Sequence, residues 1–186
     1  MIVIDDFIKD QSLLDRISED ETFFSRNGEF MWWYGWWNSP ANTLKKELIE
    51  YIWGEHSPHV PISCIGFEYW TGVYSHEDEK DELKPHLDKD EYLWDTEGEI
   101  VSPIIGTVFY PREQDIDGGY LEIFSKGQDN EPERIEAKYN RLVIFPAGEY
   151  VHRVTKVTRG TRYAIAINLW DVEPTAVKNN EMILEN

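Results

Sequence analysis

Two side chains that can bind a metal stand two residues apart in the stretch KPHLDKDE, residues 84–91. Side chains at positions i and i+2 of an extended strand point to the same face, so His86 and Asp88 can direct one nitrogen and one oxygen to a common point. His152, in YVHRV, lies 66 residues further along the chain and can add a second imidazole. We therefore expect His86, Asp88 and His152 to form one metal site.

The ligand types indicate which metal this site would hold. Two imidazoles and one carboxylate form the facial triad of non-haem Fe(II) oxygenases, which leaves positions open for a chelating cosubstrate and for O2. A structural zinc site is closed by four ligands, often cysteines, and Cys64 is the only cysteine of the chain. An HxD pattern alone is weak evidence in a chain with five histidines and 36 acidic residues, so a further feature is needed.

Arg162 is that further feature. The stretch VTRGT predicts a tight hairpin in which Val157 pairs with Thr161, and His152 then faces Ala166 on the neighbouring strand. Arg162 would start four residues along that strand from the metal, a gap of roughly 13 Å. Its long side chain and a five-carbon dicarboxylate would together fill this gap.

The face of the strand that carries Arg162 predicts a ligand pocket. A guanidinium binds a carboxylate through two parallel hydrogen bonds, which suits it to hold one end of a diacid. The same face continues with Ala164, Ala166 and Asn168. Small residues beside an inward arginine leave volume that a filled core would not have. A lone arginine would more simply form a surface salt bridge.

The elements that must hold these residues are mainly β-strands. The stretch MIVIDDF predicts a short strand, followed by a helix over residues 11–18 with Asp10 as a candidate N-cap and a second helix from Ala41 to about Trp53. From Cys64 onward seven β-runs follow, namely CIGFEYW, LKPHLD, PIIGTVFY, GYLEIF, RLVIFP, YVHRVTKV and TRYAIAINLW. This order predicts a β-sandwich or barrel with the helices packed on one outer face.

The composition of the chain limits the classes of partner that it could bind. The chain has 186 residues and a formal net charge of -18, which disfavours nucleic acid or an anionic membrane as the main partner and is compatible with a basic or neutral protein substrate. The single cysteine favours the cytoplasm, the N-terminus does not resemble a signal peptide, and no run of 18 apolar residues predicts a membrane span. The oligomeric state cannot be deduced from the sequence.

Several motifs together resemble a known family. DGGYLEIF, IEAKYNRLVIFP, VHRV and GTRYAIAINLWD occur in the order found in 2-oxoglutarate/Fe(II) dioxygenases, and within them in prolyl hydroxylases of the hypoxia-inducible-factor type. MIVIDDFI is similar to the opening segment of the wider prolyl 4-hydroxylase group. The resemblance implies a double-stranded β-helix, a jelly-roll or cupin-like fold, in a single domain over residues 1–186. Its N-terminal helical part would cover about 1–60 and its β-helix core about 64–171.

The resemblance also implies a role for each matching residue. His86, Asp88 and His152 would bind Fe(II), and Arg162 with Tyr110 would hold the distal carboxylate of 2-oxoglutarate. The other residues assigned to the cosubstrate pocket are Leu121, Thr107 and Ala164. The implied reaction uses O2 to oxidise 2-oxoglutarate to succinate and CO2 while a prolyl residue of a peptide or protein is hydroxylated, with ascorbate as a possible reductant.

Departures from the family pattern leave alternatives open. A family tryptophan six residues after the arginine is replaced by Asn168. Either Tyr69 or Tyr74 could face the pocket, and the aromatic cluster at residues 32–37 could be core or border the substrate. The same chemistry on a free amino acid is one alternative function, and a non-catalytic metal-binding jelly-roll module is another. His56 and His59 fit a turn better than a second metal site.

Overall fold

The structure is a computed structural model that describes residues 1–26, 29–54, 63–127, 129–179 and 181–184. His56 and His59 lie outside these ranges. The strands are β1 (Ile2–Ile4), β2 (Met31–Trp33), β3 (Gly66–Ser75), β4 (Leu83–His86), β5 (Ile105–Phe109), β6 (Asp117–Gly118), β7 (Leu121–Phe124), β8 (Glu133–Ile135), β9 (Leu142–Phe145), β10 (Val151–Val154), β11 (Val157–Arg159), β12 (Thr161–Trp170) and β13 (Ile183–Leu184). The helices are α1 (Gln11–Glu19), α2 (Leu44–Trp53), α3 (Glu91–Glu97) and α4 (Thr175–Lys178), with a 3-10 turn at Glu21–Phe24.

The strands form two main sheets and one short pair. The large sheet has the order β1-β9-β5-β12-β3-β2-β13, the small sheet β4-β10-β7-β8, and β11 pairs with β6. All pairs are antiparallel except β13 with β2. From β3 to β12 the chain passes repeatedly between the two main sheets, with β7 and β8 consecutive in the small sheet, and this is the arrangement of a double-stranded β-helix. The predicted mainly-β fold is confirmed.

The two N-terminal helices, α1 and α2, cover the outer face of the large sheet, also as predicted. Alternate residues of β12 point to opposite faces, and its outward row packs against α1 and α2 in one buried cluster. The members from these three elements are Leu13, Leu14, Ile17, Leu48, Ile49, Ile52, Trp53, Ile165, Ile167 and Leu169. The inward row of β12 is thereby left to face the small sheet. Among the described residues, none of the helices is both long and apolar enough to cross a membrane.

Side-chain caps set where the two N-terminal helices begin. Asp10 accepts hydrogen bonds from the backbone N–H groups of Ser12 and Leu13 at 3.0 and 3.2 Å, so the predicted N-cap of α1 is confirmed. The second helix begins at Leu44, three residues later than predicted, because the Thr43 side chain caps it. The N-terminal part is not purely helical, since β1 and β2 pair within the large sheet.

The predicted hairpin between Val157 and Thr161 is wrong. β11 pairs with β6, β12 pairs with β3 and β5, and β10 lies in the small sheet beside β4 and β7. His152 and Ala166 are therefore not neighbours on paired strands. The turn at Gly160 carries the chain from the β11–β6 pair to the large sheet, and a local turn signal cannot distinguish such a crossover from a hairpin.

Candidate metal and cosubstrate site

Three potential ligand atoms converge between the two sheets. β4 and β10 pair so that His86 lies directly opposite His152. β4 ends at His86, and the backbone N–H of Asp88 donates to the carbonyl of Ala147 at 3.0 Å, which fixes the two residues that follow the strand. Asp88 Oδ1 lies 3.3 Å from His86 Nε2 and 3.4 Å from His152 Nε2. One ligand atom from each side chain lies within 4.8 Å of the others, close enough to share one ion.

Backbone carbonyls fix the tautomer of both imidazoles. His86 Nδ1 lies 2.8 Å from the carbonyl oxygen of Lys84, and His152 Nδ1 lies 3.0 Å from that of Tyr150. A carbonyl can only accept, so Nδ1 carries the proton in each ring and donates it. In the neutral form of each ring, Nε2 then has a lone pair for a metal. This arrangement is typical of metal-binding histidines.

The electrostatics of the triad favour an anionic Asp88. Burial raises the pKa of this carboxyl, but the hydrogen bonds from His152 and His86 outweigh burial and hold the pKa well below its usual range. Burial lowers the pKa of His86, and the hydrogen bond and charge of Asp88 reverse this effect and raise it. A carboxylate held ionised beside two imidazoles suits a divalent cation, which would replace the protons between them.

A buried cation lies in the same cavity as the triad. The Arg162 side chain is 2% exposed; its Nε donates to the carbonyl of Gly119 at 3.0 Å, and Nη2 donates to the Tyr110 hydroxyl at 3.3 Å. Among the described residues no carboxylate pairs with it. An unpaired buried charge is costly, so the guanidinium indicates a site for an anionic ligand. The cavity also contains His86, Asp88 and His152.

Most of the residues predicted for the cosubstrate pocket border this cavity. Leu121 and Ala164 line it, and Tyr110 reaches it through its bond to Arg162. Thr107 also borders it, but alternation along β5 places its side chain with Phe109 on the outer face. The Thr107 hydroxyl is buried without a hydrogen-bond partner, so only its backbone is placed to contact a ligand.

The choice between the two tyrosines follows from the pairing of β3 with β12. Tyr74 lies opposite Arg162 on the inward row and lines the cavity, whereas Tyr69 lies opposite Ile167 and packs in the helix-covered cluster. The centre of the Tyr74 ring is 5.7 Å from the guanidinium carbon of Arg162. Burial raises the pKa of the Tyr74 hydroxyl, which keeps it a neutral donor.

Two contacts at the site were not anticipated from the sequence. The carbonyl that accepts from Arg162 belongs to Gly119, whose φ of +67° and close approach to the Arg162 side chain suit glycine. Glu68 is the other; its carboxylate accepts from Asn168 and Trp170. From the sequence alone, two consecutive glycines at 118 and 119 indicate no more than a turn. Glu68 lies in an otherwise apolar β-run with no local signal.

A wide groove opens onto the triad. Its volume is about 660 Å³, and it shares Trp70, Tyr74, His86, Asp88 and Asn168 with the inner cavity. Its aromatic lining residues are Phe30, Trp70, Tyr74, Tyr92 and Trp170. Phe30 and Trp70 form an aromatic pair with ring centres 4.9 Å apart.

The aromatic cluster at residues 32–37 lies mostly in the core. Trp32 and Trp33 are each 1% exposed, and Trp36 stacks on Phe67 with ring centres 5.7 Å apart. Trp37 is exposed on one side but contacts Trp36 and Phe67. None of these tryptophans lines the described part of the groove.

A comparison of the chain with models of protein families identifies its family. The model of the 2OG-Fe(II) oxygenase superfamily matches residues 71–170, more than half of the chain. The chain belongs to this superfamily. As a 2OG-Fe(II) oxygenase it is an oxidoreductase that uses Fe(II), 2-oxoglutarate and O2, and this prediction from the sequence is confirmed. No curated protein matches the chain.

Solved structures of prolyl hydroxylases share the fold of this oxygenase. A Pseudomonas putida prolyl-4-hydroxylase is similar with a TM-score of 0.59 and 18% identity, covering 92% of this chain and 88% of that one. A viral collagen prolyl hydroxylase from Paramecium Bursaria Chlorella virus-1 has a TM-score of 0.54 and 15% identity, covering 92% and 96%. A Trichoplax adhaerens prolyl hydroxylase, solved with a hypoxia inducible factor peptide fragment, has a TM-score of 0.52 and 14% identity, covering 95% and 86%.

Proposed function

We propose that His86, Asp88 and His152 hold the Fe(II) of this oxygenase, that Arg162 binds 2-oxoglutarate, and that the substrate is a prolyl residue of a peptide or protein. One observation carries the proposal: a buried guanidinium without a carboxylate partner among the described residues lies in one cavity with three convergent ligands. The triad and the guanidinium match the two ends of a keto-diacid. The keto acid end would chelate a metal held by the triad, and the distal carboxylate would pair with Arg162.

The chain binds and orients the cosubstrate through charge and shape. Arg162 and Tyr110 supply donors for the distal carboxylate, and burial makes these charge-assisted hydrogen bonds strong. Apolar side chains from the small sheet and β9, namely Leu121, Phe145 and Val154, line the cavity and exclude water from the chain of the diacid. Fe(II) held by His86, Asp88 and His152 would supply the redox chemistry by which O2 oxidises 2-oxoglutarate to succinate and CO2, with the second oxygen atom of O2 going to the hydroxylated product.

The groove supports a peptide as the substrate. A volume of about 660 Å³ with an open rim exceeds what one free amino acid would fill. Trp70 lines both the groove and the inner cavity, so a proline that packs on its indole would lie beside the metal. Phe30, which is 48% exposed, extends this apolar platform outward. The free-amino-acid alternative and the non-catalytic module have no comparable supporting observation.

The proposed location is the cytoplasm, where a lone thiol stays reduced. Cys64 is half-buried, and burial raises the pKa of its thiol, which lowers its reactivity.

Incubation with Fe(II), 2-oxoglutarate and a panel of proline-containing peptides tests the function. We expect succinate and a peptide heavier by one oxygen atom, with the new hydroxyl located on proline by fragmentation. Asp88→Ala should abolish both products, whereas Asp95→Ala, an exposed carboxylate on α3, should leave both unchanged. Succinate formation with hydroxylation only of free amino acids would refute the peptide assignment, and no succinate under any condition would refute the proposed site.

A further inference from the structure

Three polar side chains form a hydrogen-bonded chain behind the triad. Asn168 Nδ2 lies 3.1 Å from Asp88 Oδ2 and 3.3 Å from Glu68 Oε2. Glu68 Oε2 also accepts from Trp170 Nε1 at 3.1 Å. Asn168 is 3% exposed, so it cannot exchange these partners for water at little cost.

The two carboxylates determine which way the Asn168 amide points. An amide oxygen facing Asp88 and Glu68 would place three acceptors together, whereas the NH2 group has two protons to donate. Each proton then has one carboxylate acceptor. The orientation of Asn168 is therefore fixed by its surroundings, and β12 holds its backbone between β3 and β5.

The two oxygens of Asp88 consequently have different roles. Oδ1 faces His86 Nε2 and His152 Nε2, whereas Oδ2 accepts from Asn168. An oxygen that accepts a hydrogen bond from the amide is turned away from the point where the imidazoles converge. Asp88 can thus present one oxygen to a metal, which leaves three positions of a six-coordinate ion open.

We propose that Asn168 is a positioning residue that restricts Asp88 to one metal-facing oxygen, and that Glu68 holds Asn168 in this orientation. The inference rests on the proposed metal site. A carboxylate free to rotate could bind through both oxygens and would then occupy a position that the cosubstrate or O2 requires. Partners that orient a ligand typically change metal affinity by about 10- to 100-fold when removed.

Co(II) binding to the purified protein, without cosubstrate or peptide, tests this role. Asn168→Leu keeps a side chain of similar size but removes the donor. We expect its affinity for Co(II) to fall by about 10- to 100-fold. We also expect the position and intensity of the Co(II) d–d bands to change, because these bands report the coordination of the ion.

A matched control separates positioning from a general loosening of β12. Gln114 also binds this strand through its amide, donating to the carbonyl of Tyr163 and accepting from its N–H at 2.8 Å each, but it lies outside the site. Gln114→Leu should lower the melting temperature of the metal-free protein yet leave the Co(II) affinity and spectrum unchanged. Equal losses of affinity in the two variants would overturn the proposal.

The remaining outcomes distinguish this inference from the metal site on which it rests. Tight Co(II) binding by the wild type, its loss in Asp88→Ala and an unchanged affinity and spectrum in Asn168→Leu would overturn the positioning role alone. Binding that survives Asp88→Ala would overturn both proposals.

Discussion

The Arg162 guanidinium donates to the Tyr110 hydroxyl across 3.3 Å in the interior of the protein, and both side chains are almost completely buried. The Tyr110 ring also lies under the guanidinium, with 5.2 Å between the ring centre and the guanidinium carbon. This contact orients the cation while leaving its charge uncompensated. The pair is therefore organised before an anion arrives, which reduces the cost of binding.

Removal of the Tyr110 hydroxyl should weaken cosubstrate binding without affecting the metal. A hydrogen bond to a charged group contributes about 1.5–3 kcal/mol, so Tyr110→Phe should raise the KM for 2-oxoglutarate roughly 10- to 100-fold. Arg162→Lys should raise it further, because an ammonium cannot form the paired hydrogen bonds of a guanidinium. Steady-state succinate assays measure both KM values, and Co(II) titration provides the control. An unchanged KM in both variants would remove Arg162 and Tyr110 from the cosubstrate site.

The small residues on the inward face of β12 should be important for cosubstrate binding because they leave space in the cavity. Ala166 lines the cavity between Arg162 and Asn168. Ala166→Leu would fill this space, so 2-oxoglutarate binding should fall at least 10-fold while Co(II) affinity stays the same. The visible charge-transfer absorption of Fe(II) chelated by a 2-keto acid, recorded without O2, measures cosubstrate binding directly. Ala166→Ser keeps the side chain small and should bind 2-oxoglutarate as the wild type does. Equal binding of 2-oxoglutarate by the wild type and both variants would place the cosubstrate elsewhere.

Glu68 should make stability depend on pH. Burial raises its pKa to about 7 from 4.5, and the charges of Asp88 and Asp90 add to this effect, although hydrogen bonds from Asn168 and Trp170 oppose it. Between these two values the folded state keeps a proton that the unfolded state has lost. The folded state therefore loses stability as pH rises through this window, by on the order of 3 kcal/mol.

Glu68→Gln removes this titration but keeps an oxygen that can accept both hydrogen bonds. We expect the metal-free variant to be more stable than wild type at pH 8 and similar to it near pH 4.5. Urea unfolding at the two pH values measures the difference. A stability difference that does not change with pH would show that Glu68 has an ordinary pKa.

The sequence predicted which candidate residues come together better than it predicted the path of the chain. His86, Asp88, His152 and Arg162 were identified from residue type and spacing, and they do meet in one cavity. The hairpin used to place Arg162 near the triad was nevertheless wrong. Arg162 lies in the large sheet and the two histidines lie in the small sheet, and the two sheets face each other. The alternation of side chains along β12 was sufficient to predict that Arg162 faces the pocket. The identity of the strand paired with β12 was not needed for this prediction.

Two features of the structure were not predicted, and they differ in whether the sequence contains a local signal for them. The helix α3 was not predicted, although Asp90 caps its start and Gly98, with a φ of +71°, ends it. These are standard helix signals and could have been recognised. The contact between Glu68 and Asn168 joins residues 100 positions apart, so no local pattern could have shown it.

Metal removal should leave the fold intact. The largest buried cluster lies on the outer face of the large sheet, and the imidazoles are held by backbone carbonyls without a metal. With chelator the protein should still unfold cooperatively, and Mn(II) at about 100 times its Kd should add about 2.7 kcal/mol of stability. Asp88→Ala should show no such gain. Loss of cooperative unfolding with chelator would instead indicate a structural metal.

The same ligands should make metal affinity depend on pH. The raised pKa of His86 means that a proton competes with the metal for Nε2 as the pH falls below neutrality. Co(II) affinity should therefore decrease steadily from pH 8 to pH 6. An affinity that is constant over this range would exclude His86 as a ligand.

The groove should favour a substrate with positive charge near the target proline. Glu29 and Glu181 line it, and neither side chain pairs with a cation among the described residues. Two lysines also line it: Lys89 pairs with Glu91 at 2.8 Å, and Lys80 lies over the Tyr74 ring at 5.6 Å from its centre. The acidic lining residues outnumber these two lysines. Opposite charges at an exposed surface attract over about 10 Å at 0.1 M salt, so flanking lysines should lower the KM of a proline peptide and flanking glutamates should raise it.

Paired variants separate the groove from the general acidity of the chain. The difference in KM between lysine- and glutamate-flanked peptides should shrink as salt is raised. It should shrink also in the double variant Glu29→Gln, Glu181→Gln. Glu19→Gln removes one charge from α1, which packs on the outer face of the large sheet. This variant should have little effect on the difference in KM. If Glu19→Gln shrinks the difference as much as the groove variant does, the preference arises from the net charge of -18 and not from the groove.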